Sequence, residues 1–220
     1  MKSVTRSLPT IGLVGCALAA IGGAPARAES SGIYAGVQAG YGAAVFEQTR
    51  TTTNGDTTWG SDLGGNGFVG GGFGGYGKTF GSFYIGGEGS LEIGRIDSEL
   101  ANSTAFSRTV SLNETVNLSI RPGYMLAPQT LAYGRVGWAR SKFTVTQQQN
   151  GDMPRTDEWI DGIVVGFGLE QDIAQSIGLR LDYRHTFYAD EPTNANNAGT
   201  RTDSYEIESD VVTVGVLYKF

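Results

Sequence analysis

Ionisable side chains recur at every second or fourth position in several stretches of the sequence. The segment "EGSLE" carries Glu88 and Glu92, and "RLDYR" carries Arg180, Asp182 and Arg184. Because successive side chains of a β-strand point to opposite faces, each set would lie on one face of its strand. Opposite charges gathered in this way either pair with one another or line a path for ions and small solutes.

The element that must position these charges is the β-strand. After residue 28 the sequence has eight stretches with a period of two and none with a helical period. The predicted strands are 32–46, 67–80, 82–96, 115–126, 130–145, 159–173, 177–189 and 210–220. A tilted strand of about 9–11 residues crosses a bilayer, and each of these stretches is long enough to do so.

The connections between the predicted strands alternate in length. The four long, polar connections are 47–66, 97–109, 146–158 and 190–206. The three between them are tight turns, at Phe80-Gly81, 127–129 and 174–176. In an up-and-down meander, alternate connections lie at the same end, so all the long ones emerge on one side. The pattern predicts an all-β fold, an eight-stranded antiparallel up-and-down transmembrane β-barrel, because a sheet in lipid must close to satisfy its backbone.

The alternation also assigns side chains to the inside and outside of this barrel. Arg121 opposes Ile120 and Glu170 opposes Leu169, so the apolar residue faces lipid and the charge faces the lumen. An eight-stranded barrel is only wide enough for side chains to fill it, so we expect an interlocked ion-pair network without an open channel. Its predicted members are Glu88, Glu92, Arg121, Arg135, Glu170, Arg180, Asp182 and Arg184. A gated path for small solutes or ions is the alternative interpretation.

The first 28 residues have the pattern of a cleaved secretory signal peptide. Two basic residues precede an apolar run from Leu8 to Ile21, and "APARA" supplies small residues for cleavage before Glu29. In the rival interpretation, "LVGC" is a lipobox and Cys16 is acylated, but the apolar run simply continues after it. The predicted organisation is a signal peptide over 1–28 and one outer-membrane barrel domain over 29–220.

The composition excludes several classes of function. The formal net charge is −6, and removal of the signal peptide leaves 13 basic residues against 22 acidic ones, so we expect no nucleic-acid partner. "GNGFVG" at 65–70 matches a dinucleotide-binding pattern, but a glycine-rich strand rather than a helix follows it. A soluble ligand-carrying barrel would need apolar side chains inside and polar ones outside, the reverse of this alternation.

The chain resembles the small outer-membrane β-barrel proteins of Gram-negative bacteria, a porin-like surface-antigen family related to the transmembrane domain of outer-membrane protein A. The resemblance rests on "LSIRPGYMLAPQTLAYGRVGW", "LRLDYRHTFY" and the terminal "TVGVLYKF". It implies a structural or surface-antigen role in the outer membrane. It also implies a C-terminal signal that the barrel-assembly machinery reads, made of Val214, Val216, Tyr218 and Phe220. We further expect contacts with outer-membrane lipid and lipopolysaccharide, and extracellular contacts through the four long connections.

Two other functions stay open, a small-solute porin with weak conductance and a lipid A-modifying enzyme. The only histidine, His185, alternates with Tyr183 and Phe187, so it should point outward near the outer interface. No H-x-S pattern accompanies it, and the sequence therefore predicts that the protein is not an enzyme. One histidine and no cysteine in 29–220 predict no metal site and no cofactor.

Overall fold

The computed structural model describes residues 31–52, 57–103, 106–149, 155–189, 193–194 and 201–220. Its strands are β1 (Gly32–Thr52), β2 (Thr57–Phe80), β3 (Phe83–Ser103), β4 (Phe106–Ala127), β5 (Thr130–Gln149), β6 (Arg155–Asp172), β7 (Ile177–Tyr188), β8 (Thr193–Asn194) and β9 (Arg201–Lys219). The predicted signal peptide lies outside the described residues. Within the described residues, no helix has the length and apolar character needed to cross a membrane.

The long strands form one closed antiparallel wall. Each pairs with its neighbour in chain order from β1 to β7, β7 pairs with β9, and β9 pairs back with β1 from Tyr34↔Lys219 to Thr52↔Arg201. The two-residue β8 pairs with β9 alone. The predicted eight-stranded up-and-down barrel is thereby confirmed. Closure pairs the edges of the sheet, as a hydrocarbon environment requires.

The tight turns lie where the sequence predicts them, and they define the short-turn end of the barrel. Gly81, between β2 and β3, has a φ of 64°, a left-handed conformation that glycine adopts without a steric penalty. β4 and β5 are separated by two residues, and β6 and β7 by four. At this end, the predicted strand bounds agree with the observed ones to within one residue.

At the opposite, long-connection end, the strands extend much further than predicted. β1 continues to Thr52 and β4 begins at Phe106, so most of the predicted loops 47–66, 97–109 and 146–158 is strand. β9 begins at Arg201, inside the predicted loop 190–206. These bounds were wrong because a period of two in hydropathy marks a strand only where one face is apolar, whereas backbone pairing continues beyond that point.

Exposure alternates along the wall and places an apolar belt on the outside. Exposed side chains of the belt include Ile33, Val37, Phe83, Ile85, Leu91, Ile93, Leu118, Ile120, Val136, Ile163, Phe167, Leu169, Val214 and Val216. Exposed aromatic rings gather at the short-turn end, among them Tyr76, Phe80, Tyr124, Tyr218 and Phe220. An apolar band bordered by an aromatic girdle is the exterior expected of a barrel embedded in lipid.

Towards the long-connection end, the exterior becomes polar. Arg140 Nε lies 3.6 Å from Asp161 Oδ1, and Lys142 Nζ lies 3.2 Å from Asp157 Oδ2. Both acids and Arg140 are exposed, and Lys142 is half-buried. This change of surface marks the level at which the wall leaves the hydrocarbon, because exposed ion pairs are costly inside it.

Gly71 allows a close approach between β2 and β3. A Cβ atom at this lumen-facing position would lie 2.1 Å from the carbonyl oxygen of Leu91. At the next residue, Gly72, the Cβ would point outward, 3.6 Å from the nearest atom, the carbonyl oxygen of Gly36. Of these two neighbouring glycines, Gly71 alone is therefore required by the local backbone packing.

We expect Gly71→Ala to lower the free energy of unfolding by about 1–3 kcal/mol, because two strand backbones must move apart to admit the methyl group. Gly72→Ala, its matched control, should change the same quantity by less than about 0.5 kcal/mol. Denaturant titration of the protein refolded into lipid vesicles measures both. Equal effects of the two substitutions would contradict the close approach.

Candidate functional site in the lumen

Glu88, on β3, is the centre of the charges inside the barrel. Its Oε2 accepts hydrogen bonds from Arg121 Nη1 at 3.0 Å and from Arg180 Nη1 at 2.8 Å. Its Oε1 accepts from Arg135 Nη2 at 2.7 Å, and the Tyr34 hydroxyl donates to Oε2 at 2.9 Å. Three guanidinium groups from β4, β5 and β7 thus converge on one buried carboxylate.

Further carboxylates offset the excess positive charge around Glu88. Glu170 Oε2 accepts from Arg121 Nη2 at 3.1 Å and from Arg180 Nη2 at 3.3 Å. Glu170 Oε1 lies 3.2 Å from Lys219 Nζ, which donates to Asp172 Oδ1 at 2.5 Å. Lys219 is on the last strand, so this contact ties β9 to β6 across the short-turn end of the lumen.

A second branch runs towards the long-connection end. Asp182 Oδ2 accepts from the Tyr133 hydroxyl at 2.5 Å and from Arg135 Nη2 at 3.2 Å. Asp182 Oδ1 lies 3.3 Å from Arg184 Nε. Arg184 pairs in turn with Glu92 through both terminal nitrogens, Nη2 donating to Oε2 at 3.0 Å.

The structure brings all eight predicted lumen charges into one connected set. We call this set the lumen network, and with the two residues that the structure adds it comprises Glu88, Glu92, Arg121, Arg135, Glu170, Asp172, Arg180, Asp182, Arg184 and Lys219. Its five cations and five carboxylates balance. Balance matters because a buried charge without a partner costs several kcal/mol. Lys219 and Asp172 were missed, although both lie on the inward alternation of their strands.

Aromatic rings pack against the guanidinium groups of the lumen network. The Cζ atom of Arg121 lies 3.8 Å from the ring centroid of Tyr133, and that of Arg180 lies 4.0 Å from the ring of Phe73. The cation–π attraction adds to the ion pairs, and the rings occupy the space beside the charges. The lumen is consequently filled by side chains at the level of the lumen network.

An apolar layer crosses the lumen above the network, nearer the long-connection end. Each wall strand contributes to this layer, which we call the apolar ring: Ala44, Val69, Ile96, Leu112, Phe143, Ile160, Tyr188, and from β9 both Ile207 and Val211. The rings of Phe143 and Tyr188 meet edge to face, 5.1 Å apart. This layer was not predicted from the sequence. The sequence feature that could have indicated this layer is the change from outward-facing Ile93 to inward-facing Ile96 on β3.

A small cavity separates the apolar ring from the lumen network. Its volume is about 20 Å³, and its lining includes Glu92 and Arg184 on one side and Tyr188 and Leu112 on the other, with Thr186 between them. A cavity of this size holds about one water molecule. Side chains of the lumen network and of the apolar ring therefore border the same small space.

The sequence matches the family described as "Outer membrane protein beta-barrel domain" over residues 14–220. The chain belongs to this family. Its members are barrels of the outer membrane, and the apolar belt agrees with that location. The short-turn end is then periplasmic and the long-connection end extracellular. No curated protein matches the sequence.

Solved outer-membrane barrels are similar to this structure. The outer membrane protein OprG from Pseudomonas aeruginosa is 13% identical, with a TM-score of 0.52 over 88% of this chain and 98% of OprG. The outer membrane protease OmpT from Escherichia coli is 7% identical, with a TM-score of 0.50 over 86% of this chain and 96% of OmpT. Neisserial surface protein A is 18% identical, with a TM-score of 0.43 over 86% of this chain and 98% of that protein. At these identities the likeness concerns the fold alone.

His185 lies on the outside of this outer-membrane barrel, near the extracellular end of the belt. Its Nδ1 is 2.8 Å from Asp210 Oδ1, and the Tyr183 hydroxyl donates to the same oxygen at 2.6 Å. The imidazole packs edge to face on Phe187 with centroids 4.3 Å apart. The outward position among aromatic rings agrees with the alternation, whereas the pairing with Asp210 comes from the β7–β9 register.

Three residues of the predicted assembly signal lie on the outer face of β9, and the fourth, Phe220, directly follows the strand. Val214, Val216, Tyr218 and Phe220 are exposed, and the two aromatic rings meet at 5.0 Å. The amide of Phe220 donates to the carbonyl oxygen of Ile33 at 3.0 Å, which fixes the end of the chain to β1. The last residue is thus held at the seam where the barrel closes.

Proposed function

We propose that this outer-membrane barrel is a structural, surface-exposed protein that supports membrane integrity and acts as a surface antigen, with a lumen that does not conduct. The proposal rests on the paired, buried side chains that fill the lumen. Arg121 and Arg180 are 0% and 2% exposed, and both bind two carboxylates. An ion path needs charged groups that a passing ion can reach, and these groups are already paired.

Single-channel recording of the purified protein in planar bilayers tests this function. We expect no discrete current steps above the bare bilayer at physiological ionic strength. Reproducible steps would instead support the alternative, a small-solute porin with weak conductance.

We propose three kinds of partner from the same surfaces. The apolar belt would contact outer-membrane lipid, and the polar exterior near Arg140 and Lys142 would contact the head groups of lipopolysaccharide. The barrel-assembly machinery would read the C-terminal strand. Extracellular contacts would form at the long-connection end, where strand extensions occupy most of the predicted loops.

Lipid A modification is a second candidate function because His185 pairs with a carboxylate on the outer face. A carboxylate that accepts Nδ1–H orients the imidazole and leaves Nε2 as a base. However, Asp210 also accepts a hydrogen bond from the Tyr183 hydroxyl, and Nε2 of His185 lies 4.0 Å from Glu208 Oε2. We propose that His185 is an interfacial packing residue and that the protein is not an enzyme.

We expect His185→Ala to leave the lipid A species of the outer membrane unchanged, because the side chain serves packing in this proposal. Mass spectrometry of lipid A from cells that produce the parent protein, the variant, or neither makes the comparison. A modified species that requires the parent protein and disappears in the variant would establish the enzyme alternative.

A further inference from the structure

We infer that the lumen is sealed by two independent barriers in series, the lumen network on the periplasmic side and the apolar ring on the extracellular side. This inference rests on the proposed non-conducting function and specifies how closure is achieved. Either barrier alone is sufficient to keep the barrel closed. The two barriers exclude ions for opposite physical reasons.

The lumen network excludes ions by occupancy and neutrality. Glu88 has three arginine partners, so an entering cation would have to displace a guanidinium group that is itself buried. An entering anion would have to compete with Glu170 or Asp182 for the same arginines. Breaking a buried pair without replacing the partner is strongly unfavourable, because it leaves a buried charge uncompensated, and this opposes both exchanges.

The apolar ring excludes ions by desolvation. Apolar constrictions close channels because water, and with it the hydration shell of an ion, is unstable there. The ring is complete around the wall, since each of the eight strands contributes a side chain to it. Phe143 and Tyr188 are its largest members. The Tyr188 hydroxyl forms a 2.8 Å hydrogen bond with Ser141 Oγ on β5, which anchors the Tyr188 side chain to the wall.

The two barriers are separate structures. Arg184 is the network residue nearest to Tyr188 along β7, and Thr186 and the small cavity lie between them. The members of the ring contact one another through apolar surfaces and those of the network through ion pairs, so loss of one set leaves the other in place. Independence is the feature that an experiment can test.

A cysteine at Thr186 reports on the space between the barriers. Thr186 is 7% exposed and lines the cavity. The one cysteine of the sequence is Cys16, so in a protein that begins at residue 29 a charged, water-soluble thiol reagent would label only the new thiol. In Thr186→Cys we expect no labelling from either side of the membrane, with the parent protein as the background control.

Each barrier is then opened in the Thr186→Cys background. Phe143→Ala with Tyr188→Ala truncates the ring, and Glu88→Ala with Arg121→Ala removes one anion and one cation, which keeps the network neutral. We expect labelling from the extracellular side only in the first protein and from the periplasmic side only in the second. Neither should conduct in planar bilayers, whereas the four substitutions together should produce current steps.

Labelling of Thr186→Cys without any other substitution would overturn the inference, and so would conductance after opening one barrier alone. A folded variant that stays unlabelled from its opened side would also overturn it. The heat-dependent shift in electrophoretic mobility establishes that each variant is folded, and Phe143→Ala alone replaces the double substitution if that one does not fold. Conductance of the parent protein would instead count against the proposed function, so the two failures are distinguishable.

Discussion

Glu88→Gln is expected to lower the free energy of unfolding by about 3–5 kcal/mol, because it leaves buried guanidinium groups without their shared counter-charge. The volume of the side chain is kept, so the loss reports electrostatics rather than a cavity. The new amide nitrogen is a donor, and it would face Arg135 or the arginines at Oε2, which are donors as well. Denaturant titration in lipid vesicles, followed by tryptophan fluorescence, measures the change.

Glu114→Gln is the matched control for that prediction. Glu114 is exposed on the neighbouring strand β4, and the same chemical change there should alter the free energy of unfolding by less than about 0.5 kcal/mol. Similar small effects at both positions would mean that the lumen network contributes little to stability.

Leu118→Arg should destabilise the barrel by about 2–4 kcal/mol, because Leu118 lies within the apolar belt and a cation there faces hydrocarbon. Leu118 is 57% exposed in the isolated protein, so the introduced side chain would not clash with the wall. Reversible unfolding in vesicles, or the yield of folded protein in outer membranes, gives the effect.

Glu114→Arg tests whether the destabilisation by arginine depends on its depth in the membrane. Glu114 is four residues away on the outer face of the same strand, at the polar boundary of the belt. Arginine at this interface should change the free energy of unfolding by only about 0–1 kcal/mol. If both arginines cost the same, the placement of the belt in hydrocarbon would be wrong.

The two halves of the barrel place apolar and charged side chains on opposite faces of the wall, because only one half is in contact with lipid. Within the belt, Ile93 faces outward and the neighbouring inward positions carry charges such as Glu92. Beyond the belt, the exterior carries ion pairs such as Arg140–Asp161, and the interior carries the apolar ring. The extracellular part of the wall stands in water and is therefore stabilised by an apolar core, as a soluble protein is.

The sequence by itself determined the topology and which face of each strand is inside. Both follow from local rules: side chains alternate with a period of two, and alternate connections of a meander share an end. Glu88, Arg121 and Arg180 could be assigned to the lumen without any knowledge of their partners. The extent of the strands outside lipid could not be assigned, because no apolar face marks it there.

Only the tertiary structure decided which charges pair and that each member of the lumen network has a partner of opposite charge. Partners across a closed barrel depend on the stagger of all eight strands, and so no local pattern reveals that Glu88 receives three arginines or that Lys219 reaches Asp172. The apolar ring has the same origin, since its members are single residues on eight separate strands. Their contact exists only after the barrel has closed, because closure brings them to one level of the lumen.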